Sequence, residues 1–238
     1  MRFAVVVFPG SNCDKDCVRA LRDVMGQDVA EVWHTETSLS GFDAVVLPGG
    51  FSYGDYLRCG AIARFSKIMR AVKEHADRGG LVLGICNGFQ ILVEAHLLPG
   101  ALIRNRSLKF MCRPVWLKRE RRDSLFTARG EDFLRLPIAH GEGQYFIDAE
   151  GYRKLEDEGR IAYRYEAPPG IEQAENPNGS VGRIAGILNA KGNILGMMPH
   201  PERACEEFTG GVTHGRWIFE SMIAHLTGER AARAGIAA

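Results

Sequence analysis

The sequence lacks any unbroken apolar stretch of about 20 residues, the length that a membrane-spanning helix needs. The apolar run at its start, residues 3–8, is short, stops at a Pro-Gly turn and is followed by no small-residue cleavage site. It therefore indicates a buried first strand rather than a signal peptide. Without export, we expect a cytoplasmic chain whose six cysteines are reduced thiols.

The sequence also lacks an excess of charge of either sign. Its 30 basic and 29 acidic residues give a net charge of +1, so the composition indicates neither a nucleic-acid partner nor an anionic membrane. A chain of 238 residues with 45% hydrophobic residues has ample material for a sizeable core. We expect one domain over residues 1–226 and a flexible tail over residues 227–238, which is rich in Ala, Gly and Arg.

Two kinds of binding motif are missing as well. The sequence has no Walker loop and no Gly-x-Gly-x-x-Gly loop for a nucleotide. Cys13 and Cys17 could lie one helical turn apart, but no further Cys/His pair completes a metal site. We therefore expect this chain to bind no cofactor and no metal of its own.

Short apolar runs alternate with helical patterns in the first hundred residues. Between the runs, and again after residue 87, apolar residues recur at spacings of three or four, which predicts helices. Such an alternation predicts an α/β fold, with a mostly parallel sheet, helices on both faces and ligands bound beyond the carboxyl ends of the strands. The runs typical of strands buried on both faces are residues 3–8, 29–32, 44–47 and 81–85.

The second half of the chain is less regular. Residues 108–117 and 161–165 resemble strands, and the charged segment between them carries no motif that indicates a role. Two apolar runs, residues 184–189 and 194–198, flank a short loop that contains Gly, which predicts a β-hairpin. A final helix is predicted from about residue 215 to residue 226.

The sharpest local signal surrounds Cys86, at the end of the fourth predicted strand. The pattern is strand, then Gly-x-Cys-x-Gly, then helix, which is a nucleophile elbow with Cys in place of Ser. A turn this tight leaves no room for bulky neighbours, and it places the sulfur at the positive end of a helix, which favours thiolate. The Asn87 amide would face a developing oxyanion. A lone cysteine is usually a small buried hydrophobe, and the other five cysteines have no comparable setting.

His200 is the best candidate for the base that such a thiol requires. It lies just after an apolar strand, between two prolines that restrict its backbone. Glu202 is two residues further on, so in extended backbone its carboxylate faces the same side and can orient the imidazole. The competing interpretations are a surface turn and a zinc site of the deaminase type. The latter needs a Pro-Cys-x-x-Cys partner, and the sequence has none.

Two glycine turns follow other strands. The Pro-Gly-Gly turn at residues 48–50 allows close backbone approach to a ligand, so the Gly50 amide is a candidate for a second oxyanion donor. An ordinary βα loop is the alternative. The turn at residues 8–12 matches no phosphate-loop pattern, and we interpret it as structural.

Taken together, the Pro-Gly-Gly turn, the cysteine elbow and the His-Pro-Glu segment resemble the class I (triad) glutamine amidotransferases, in content and in order. The resemblance implies a flavodoxin-like fold, with Cys86 as nucleophile, His200 as base and Glu202 as its orienter. It also implies an oxyanion hole from two backbone amides, and one side chain near the bound glutamine: Gly50, Asn87 and Gln90.

Longer stretches resemble more specifically the glutaminase subunits of phosphoribosylformylglycinamidine synthases. These stretches are residues 8–14, 50–58, 139–143, 176–180 and 196–203. The resemblance implies that the stretch at residues 139–143 lines the glutamine site.

The resemblance implies hydrolysis of glutamine through a Cys thioester. The ammonia would pass to an ATP-dependent synthetase that makes formylglycinamidine ribonucleotide from formylglycinamide ribonucleotide in purine biosynthesis. Because the chain has no ATP-binding loop, the ATP site of any such synthetase must lie on another polypeptide. The resemblance implies a large synthetase subunit (PurL) that carries ATP and Mg²⁺, and a small accessory subunit (PurS).

Two other functions remain open from the sequence. A stand-alone γ-glutamyl cysteine hydrolase would use the same elbow without a synthetase. A non-catalytic regulatory module would keep the fold and use it only for binding.

Overall fold

The protein is described here from a computed structural model that covers residues 1–55, 59–172 and 176–236. Its strands are β1 (Arg2–Val7), β2 (Asp28–Trp33), β3 (Ala44–Leu47), β4 (Leu81–Ile85), β5 (Ala101–Ile103), β6 (Met111–Arg119), β7 (Phe133–His140), β8 (Gln144–Phe146), β9 (Ile161–Tyr165), β10 (Ile184–Leu188) and β11 (Ile194–Met197). Its α-helices are α1 (Asp14–Arg19), α2 (Cys59–Ala63), α3 (Ile68–Asp77), α4 (Asn87–Glu94), α5 (Ala149–Asp157), α6 (Glu207–Gly210) and α7 (Arg216–Ile236).

Nine strands form one sheet in the order β2-β1-β3-β4-β11-β10-β9-β6-β7. The strands from β2 to β11 in this order pair in parallel, and the pairs from β11 to β7 are antiparallel. The α/β fold class and the β10–β11 hairpin predicted from the sequence are therefore confirmed. The antiparallel extension was not predicted. Strands β5 and β8 pair separately.

Several predicted boundaries were wrong. The strand expected over residues 108–117 is Met111–Arg119. The helical pattern between the apolar runs at residues 44–47 and 81–85 is divided into α2 and α3. The last helix runs to Ile236 instead of ending near residue 226. The extent of the domain and the flexibility of the tail stay predictions. Strands β5 and β8 and helix α5 were not predicted, because they are short or mostly polar. Strand β7 was not predicted either, although its buried and half-buried residues alternate as in a half-buried strand.

No helix within the described ranges is long and apolar enough to cross a membrane.

The charged segment between β6 and β7 is organised by one buried side chain. The Arg119 guanidinium donates to the carbonyl oxygens of Thr127, Arg129 and Gly130 at 2.8–2.9 Å, and it contacts the Asp132 carboxylate at 3.3 Å. A buried charge persists when it is paired and hydrogen-bonded in this way. Arg119 thus folds residues 120–132 back onto the sheet.

The register of the parallel strands determines where the site lies. Strands β1, β3, β4 and β11 are consecutive neighbours and all run in one direction. Gly84 of β4 is level with Leu47 of β3 on one side and with Gly196 of β11 on the other. The segments that follow these strands therefore meet at one edge of the sheet, where ligands bind in open α/β folds.

Two glycines allow β4, α4 and β3 to pack closely. A Cβ atom on Gly88 would lie 1.9 Å from the Leu47 carbonyl oxygen, and one on Gly84 would lie 2.4 Å from Leu92 Cδ1. The Leu47 contact is with backbone, which cannot move as the end of a side chain can. Only glycine fits at residue 88.

We expect Gly88→Ala to lower the free energy of unfolding by roughly 1–3 kcal/mol or more, because the extra methyl group overpacks the β3–α4 contact. Gly228→Ala is the matched control. Gly228 lies in α7 with no atom within 4 Å of an added Cβ, so alanine there should be neutral or stabilise by up to about 1 kcal/mol. Urea unfolding of both variants measures the difference. Equal stabilities would contradict the packing argument.

Candidate active site

Cys86 connects β4 to α4 in a backbone conformation that is unusual for any residue but glycine. Its φ is 50° and its ψ is −105°, and it occupies the N-cap position of α4. Its amide donates to the Met197 carbonyl at 2.8 Å, which ties the turn to β11. The side chain is 4% exposed, and Sγ lies 3.7 Å from the Ala139 carbonyl oxygen. The sulfur is thus buried beside the N-terminal end of a helix.

His200 and Glu202 form a buried pair. His200 Nδ1 lies 2.6 Å from Glu202 Oε1, and the two residues are 1% and 5% exposed. The His200 amide donates to the Pro137 carbonyl at 2.9 Å, so β7 holds this segment in place. Within the described residues, His200 Nε2 is buried without a hydrogen-bond partner. One ring nitrogen is therefore engaged by the carboxylate and the other is available.

The charge on His200 is set by opposing effects. Burial lowers its pKa, but the Glu202 carboxylate and the Cys86 sulfur favour the imidazolium and raise the pKa well above its usual value.

Gly49 lies beside both Cys86 and His200. A Cβ atom there would be 2.8 Å from His200 Cε1 and 3.0 Å from Cys86 Cβ, so both side chains reach the space above one glycine. The Gly49 carbonyl also accepts a hydrogen bond from the Ser11 hydroxyl at 3.2 Å. The structure thus brings Cys86 and His200 together next to the glycine turn.

Gly50 and Asn87 both line the same cavity as Cys86. Gly50 has a φ of 91°, and a Cβ atom there would lie 2.1 Å from Asn12 Oδ1. Within residues 1–55, 59–172 and 176–236, the Gly50 amide donates to no backbone carbonyl. Its carbonyl accepts from the Asn12 amide at 3.1 Å. Residues 56–58 lie outside the described residues. They are the end of the stretch at residues 50–58 that contributes to the family resemblance.

Cys13, whose sequence setting indicates no role, lies in the site. The Arg203 guanidinium donates to its sulfur at 3.0 Å, and that sulfur lies within 4.8 Å of a His200 ring nitrogen and a Glu202 carboxylate oxygen. Burial raises the pKa of the Cys13 thiol, so it is protonated at neutral pH. The turn at residues 8–12 is therefore more than structural support, since Asn12 and Cys13 line the cavity.

The side chains of Cys13, His200 and Glu202 have the chemistry of metal ligands, but the His200–Glu202 contact is too short for an ion between them. A zinc ion needs about 2.0 Å to each nitrogen and oxygen. The 2.6 Å hydrogen bond between His200 Nδ1 and Glu202 Oε1 leaves no room for an ion between those atoms. We assign no metal to this cluster.

Gln90 lines the cavity, but its amide group is already engaged. Its Oε1 accepts from Asn87 Nδ2 at 2.9 Å, and its Nε2 donates to the Glu142 carbonyl at 2.6 Å. Asn87 Oδ1 accepts from the Ser52 amide at 3.1 Å. Gln90 therefore braces the loop after β7 against α4.

His140, from the stretch at residues 139–143, also lines the cavity. Its Nδ1 is 3.0 Å from Asn105 Oδ1, which also accepts from the Gly143 amide at 3.0 Å. Burial, reinforced by the charge of His200, lowers the pKa of His140 to about 4. His140 is therefore neutral at neutral pH. Sequence reasoning assigned it no chemistry.

The cavity has a volume of about 330 Å³. Exposed apolar side chains stand at its wall, and two charged ones, Arg104 and Glu142, lie 3.6 Å apart. The apolar residues are Phe51, Leu108 and Phe110.

Known proteins resemble this chain in sequence and in fold. A chain in the structure of PurLQS from Thermotoga maritima is 44% identical, with a TM-score of 0.83, and the match covers 94% of this chain and 98% of that one. A glutamine amidotransferase from Thermotoga maritima is 15% identical, with a TM-score of 0.57 and coverage of 97% and 85%. The Trypanosoma brucei CTPS glutaminase domain with bound acivicin is 13% identical, with a TM-score of 0.60 and coverage of 96% and 94%.

The matches at 15% and 13% identity show a shared fold and nothing further. The model of the CobB/CobQ-like glutamine amidotransferase domain matches residues 1–224. The chain belongs to this family of glutamine amidotransferases.

Proposed function

We propose that this chain hydrolyses glutamine to glutamate and ammonia, with Cys86 as nucleophile, His200 as base and Glu202 as its orienter. The observation that carries the proposal is one buried cavity in which the Cys86 thiol and the paired His200 imidazole both approach Gly49. The remaining residues of the site have roles that this chemistry requires.

The Cys86 thiolate attacks the side-chain amide carbon of glutamine and forms a tetrahedral intermediate. The Gly50 and Asn87 amides stabilise its oxyanion, and each such donor is worth roughly 3 kcal/mol. His200 donates a proton to the departing ammonia, which leaves a glutamyl thioester on Cys86. A water molecule, deprotonated by His200, then attacks the thioester and releases glutamate.

Glutamine fits the charges of the cavity wall. Its free α-carboxylate and α-ammonium groups match the Arg104 guanidinium and the Glu142 carboxylate, which lie 3.6 Å apart beside the cavity. A space of about 330 Å³ is at the small end of ligand sites, as expected for one amino acid. These contacts favour a free amino acid over the amide of a folded protein.

We further propose that the ammonia is used by an ATP-dependent synthetase that converts formylglycinamide ribonucleotide to formylglycinamidine ribonucleotide in the cytoplasm. The 44% identity to a chain of PurLQS supports this assignment. The proposed partners are a large synthetase subunit, PurL, and a small accessory subunit, PurS. ATP and Mg²⁺ belong to the synthetase subunit, because this sequence has no nucleotide-binding loop.

The first prediction separates glutamine use from ammonia use. In the complex with the synthetase, Cys86→Ala should abolish glutamine-dependent product formation and leave ammonia-dependent formation intact, because only the thioester step is lost. Cys112→Ala, which removes an exposed cysteine, is the matched control and should retain both activities. Glutamine-dependent synthesis by Cys86→Ala would refute the nucleophile.

The same assay tests the two alternative functions. Rapid turnover of γ-glutamyl peptides by the isolated wild-type chain would favour a stand-alone hydrolase. Failure of Cys86 to react with diazo-oxonorleucine, a glutamine-like electrophile, would favour a non-catalytic module.

The second prediction concerns the base. His200→Ala should lower glutamine-dependent kcat on the order of 10³-fold or more, because proton transfer to and from the reacting groups is lost. Glu202→Gln should cost less, since the imidazole remains. Steady-state glutaminase kinetics in the complex measure both. A His200→Ala enzyme within tenfold of wild type would contradict the assignment.

The third prediction is a pH dependence of stability. Because the pKa of folded His200 is raised, its contribution is complete below the unfolded value of about 6.5 and is lost as pH rises through the folded value. In Glu202→Gln, the largest of the effects that raise the pKa of His200 is lost, so burial, which lowers that pKa, carries more weight. The free energy of unfolding should therefore fall more steeply above pH 6.5 in wild type than in the variant.

Urea unfolding between pH 6 and pH 9 checks this expectation. Glu206→Gln, which removes a nearby carboxylate paired with Arg19, is the control and should follow the wild-type curve. Parallel curves for wild type and Glu202→Gln would contradict the coupling.

A further inference from the structure

The loop that begins at Gly50 is held in an unfavourable backbone conformation. The φ angles are 91° at Gly50, 52° at Phe51, 55° at Tyr53 and 71° at Gly54. Left-handed backbone is costly for residues with a side chain, and a bulky aromatic residue adopts it only where the surroundings hold it. Two of these four residues are aromatic, so the loop needs specific anchors.

The outer anchor is the Tyr53 hydroxyl. It lies 3.3 Å from His34 Nδ1 and 3.0 Å from the Ser66 hydroxyl, and those two atoms are 3.2 Å apart. The Tyr53 ring meets the His34 ring edge-on, with centroids 6.1 Å apart. The Tyr53 amide donates to the Pro9 carbonyl at 2.7 Å. Tyr53 is thus joined to the segments after β2, α2 and β1.

The inner anchor faces the cavity. The Ser52 amide donates to Asn87 Oδ1 at 3.1 Å, which connects the loop to the first residue of α4. Phe51 lines the cavity and stacks on Phe110, with ring centroids 6.1 Å apart. Residues 50–54 therefore span from the cavity to the outer hydrogen-bonded cluster of Tyr53, His34 and Ser66.

We propose that Tyr53 and His34 are positioning residues for glutamine hydrolysis, because they hold the loop that aims the Gly50 amide at the developing oxyanion. This inference rests on the proposed glutaminase function. Neither side chain touches the reacting atoms, and neither lines the cavity within the described residues. Their effect reaches the reaction through the backbone of residues 50–53.

An oxyanion donor acts on the transition state more than on bound glutamine. Loss of its alignment should therefore lower kcat and leave KM nearly unchanged. A role in stability alone would reduce the amount of active enzyme, and it would leave kcat per active site unchanged. The two roles are thus separable by counting active sites.

The test is Tyr53→Phe in the complex with the synthetase, with active sites counted by covalent labelling with diazo-oxonorleucine. We expect kcat per labelled site to fall roughly 10-fold, less than the 10²–10³-fold cost of deleting a donor outright, with KM for glutamine changed less than about 2-fold. Ammonia-dependent synthesis should be unchanged. Tyr152→Phe is the matched control and should behave as wild type. The Tyr152 hydroxyl donates a hydrogen bond to the Glu156 carboxylate on α5.

A second pair of variants keeps the inference testable if Tyr53→Phe folds poorly. His34→Asn keeps a polar atom near the position of Nδ1 and should recover most of kcat, whereas His34→Leu should show the roughly 10-fold loss. Wild-type kcat per site in both Tyr53→Phe and His34→Leu would overturn the proposal. If Cys86→Ala retains glutamine use in the same assay, the glutaminase function itself fails, which is a distinguishable result.

Discussion

The strained turn at Cys86 is the constraint on which the site depends. A positive φ at a non-glycine residue is costly, and here the contacts of two strands and a helix hold it. Gly84 and Gly88 let those elements approach closely enough to do so. The result is a sulfur that is buried, held by backbone and placed at a helix N-terminus. A looser turn would give the sulfur neither the position nor the electrostatic surroundings of a nucleophile.

The imidazole reaches this sulfur through the order of the sheet. Strand β11 pairs in parallel with β4, although more than a hundred residues separate them in sequence. The register places Met197 opposite Ile85, so the segments that carry His200 and Cys86 leave the sheet at the same edge. The far end of the sheet contributes as well, since β7 binds the His200 backbone and offers the Ala139 carbonyl to the thiol. The antiparallel extension thus completes the site that the parallel strands begin.

Much of this could be predicted, because the relevant signals are local. The glycines on both sides of Cys86 are required by the tightness of the turn itself, whatever packs around it. His200 and Glu202 are two residues apart, and in extended backbone such residues face the same side. The elements that were missed are short or mostly polar, except β7, whose alternating residues carry the signal of a half-buried strand. Cys13 and Tyr53 were given no role because their contacts are with residues distant in sequence, namely Arg203 and His34.

The sequence alone predicts the fold class, the cysteine elbow and the candidates for the base and its orienter, because these follow from local sterics and from hydrophobic periodicity. Only the tertiary structure decided how the groups meet. The pairing of β11 with β4 brings the segments that carry His200 and Cys86 to the same edge of the sheet, and the Glu202 carboxylate favours the charged imidazole against the effect of burial. Long-range pairing, desolvation and the field of neighbouring charges depend on where distant segments lie, and no local pattern encodes those positions.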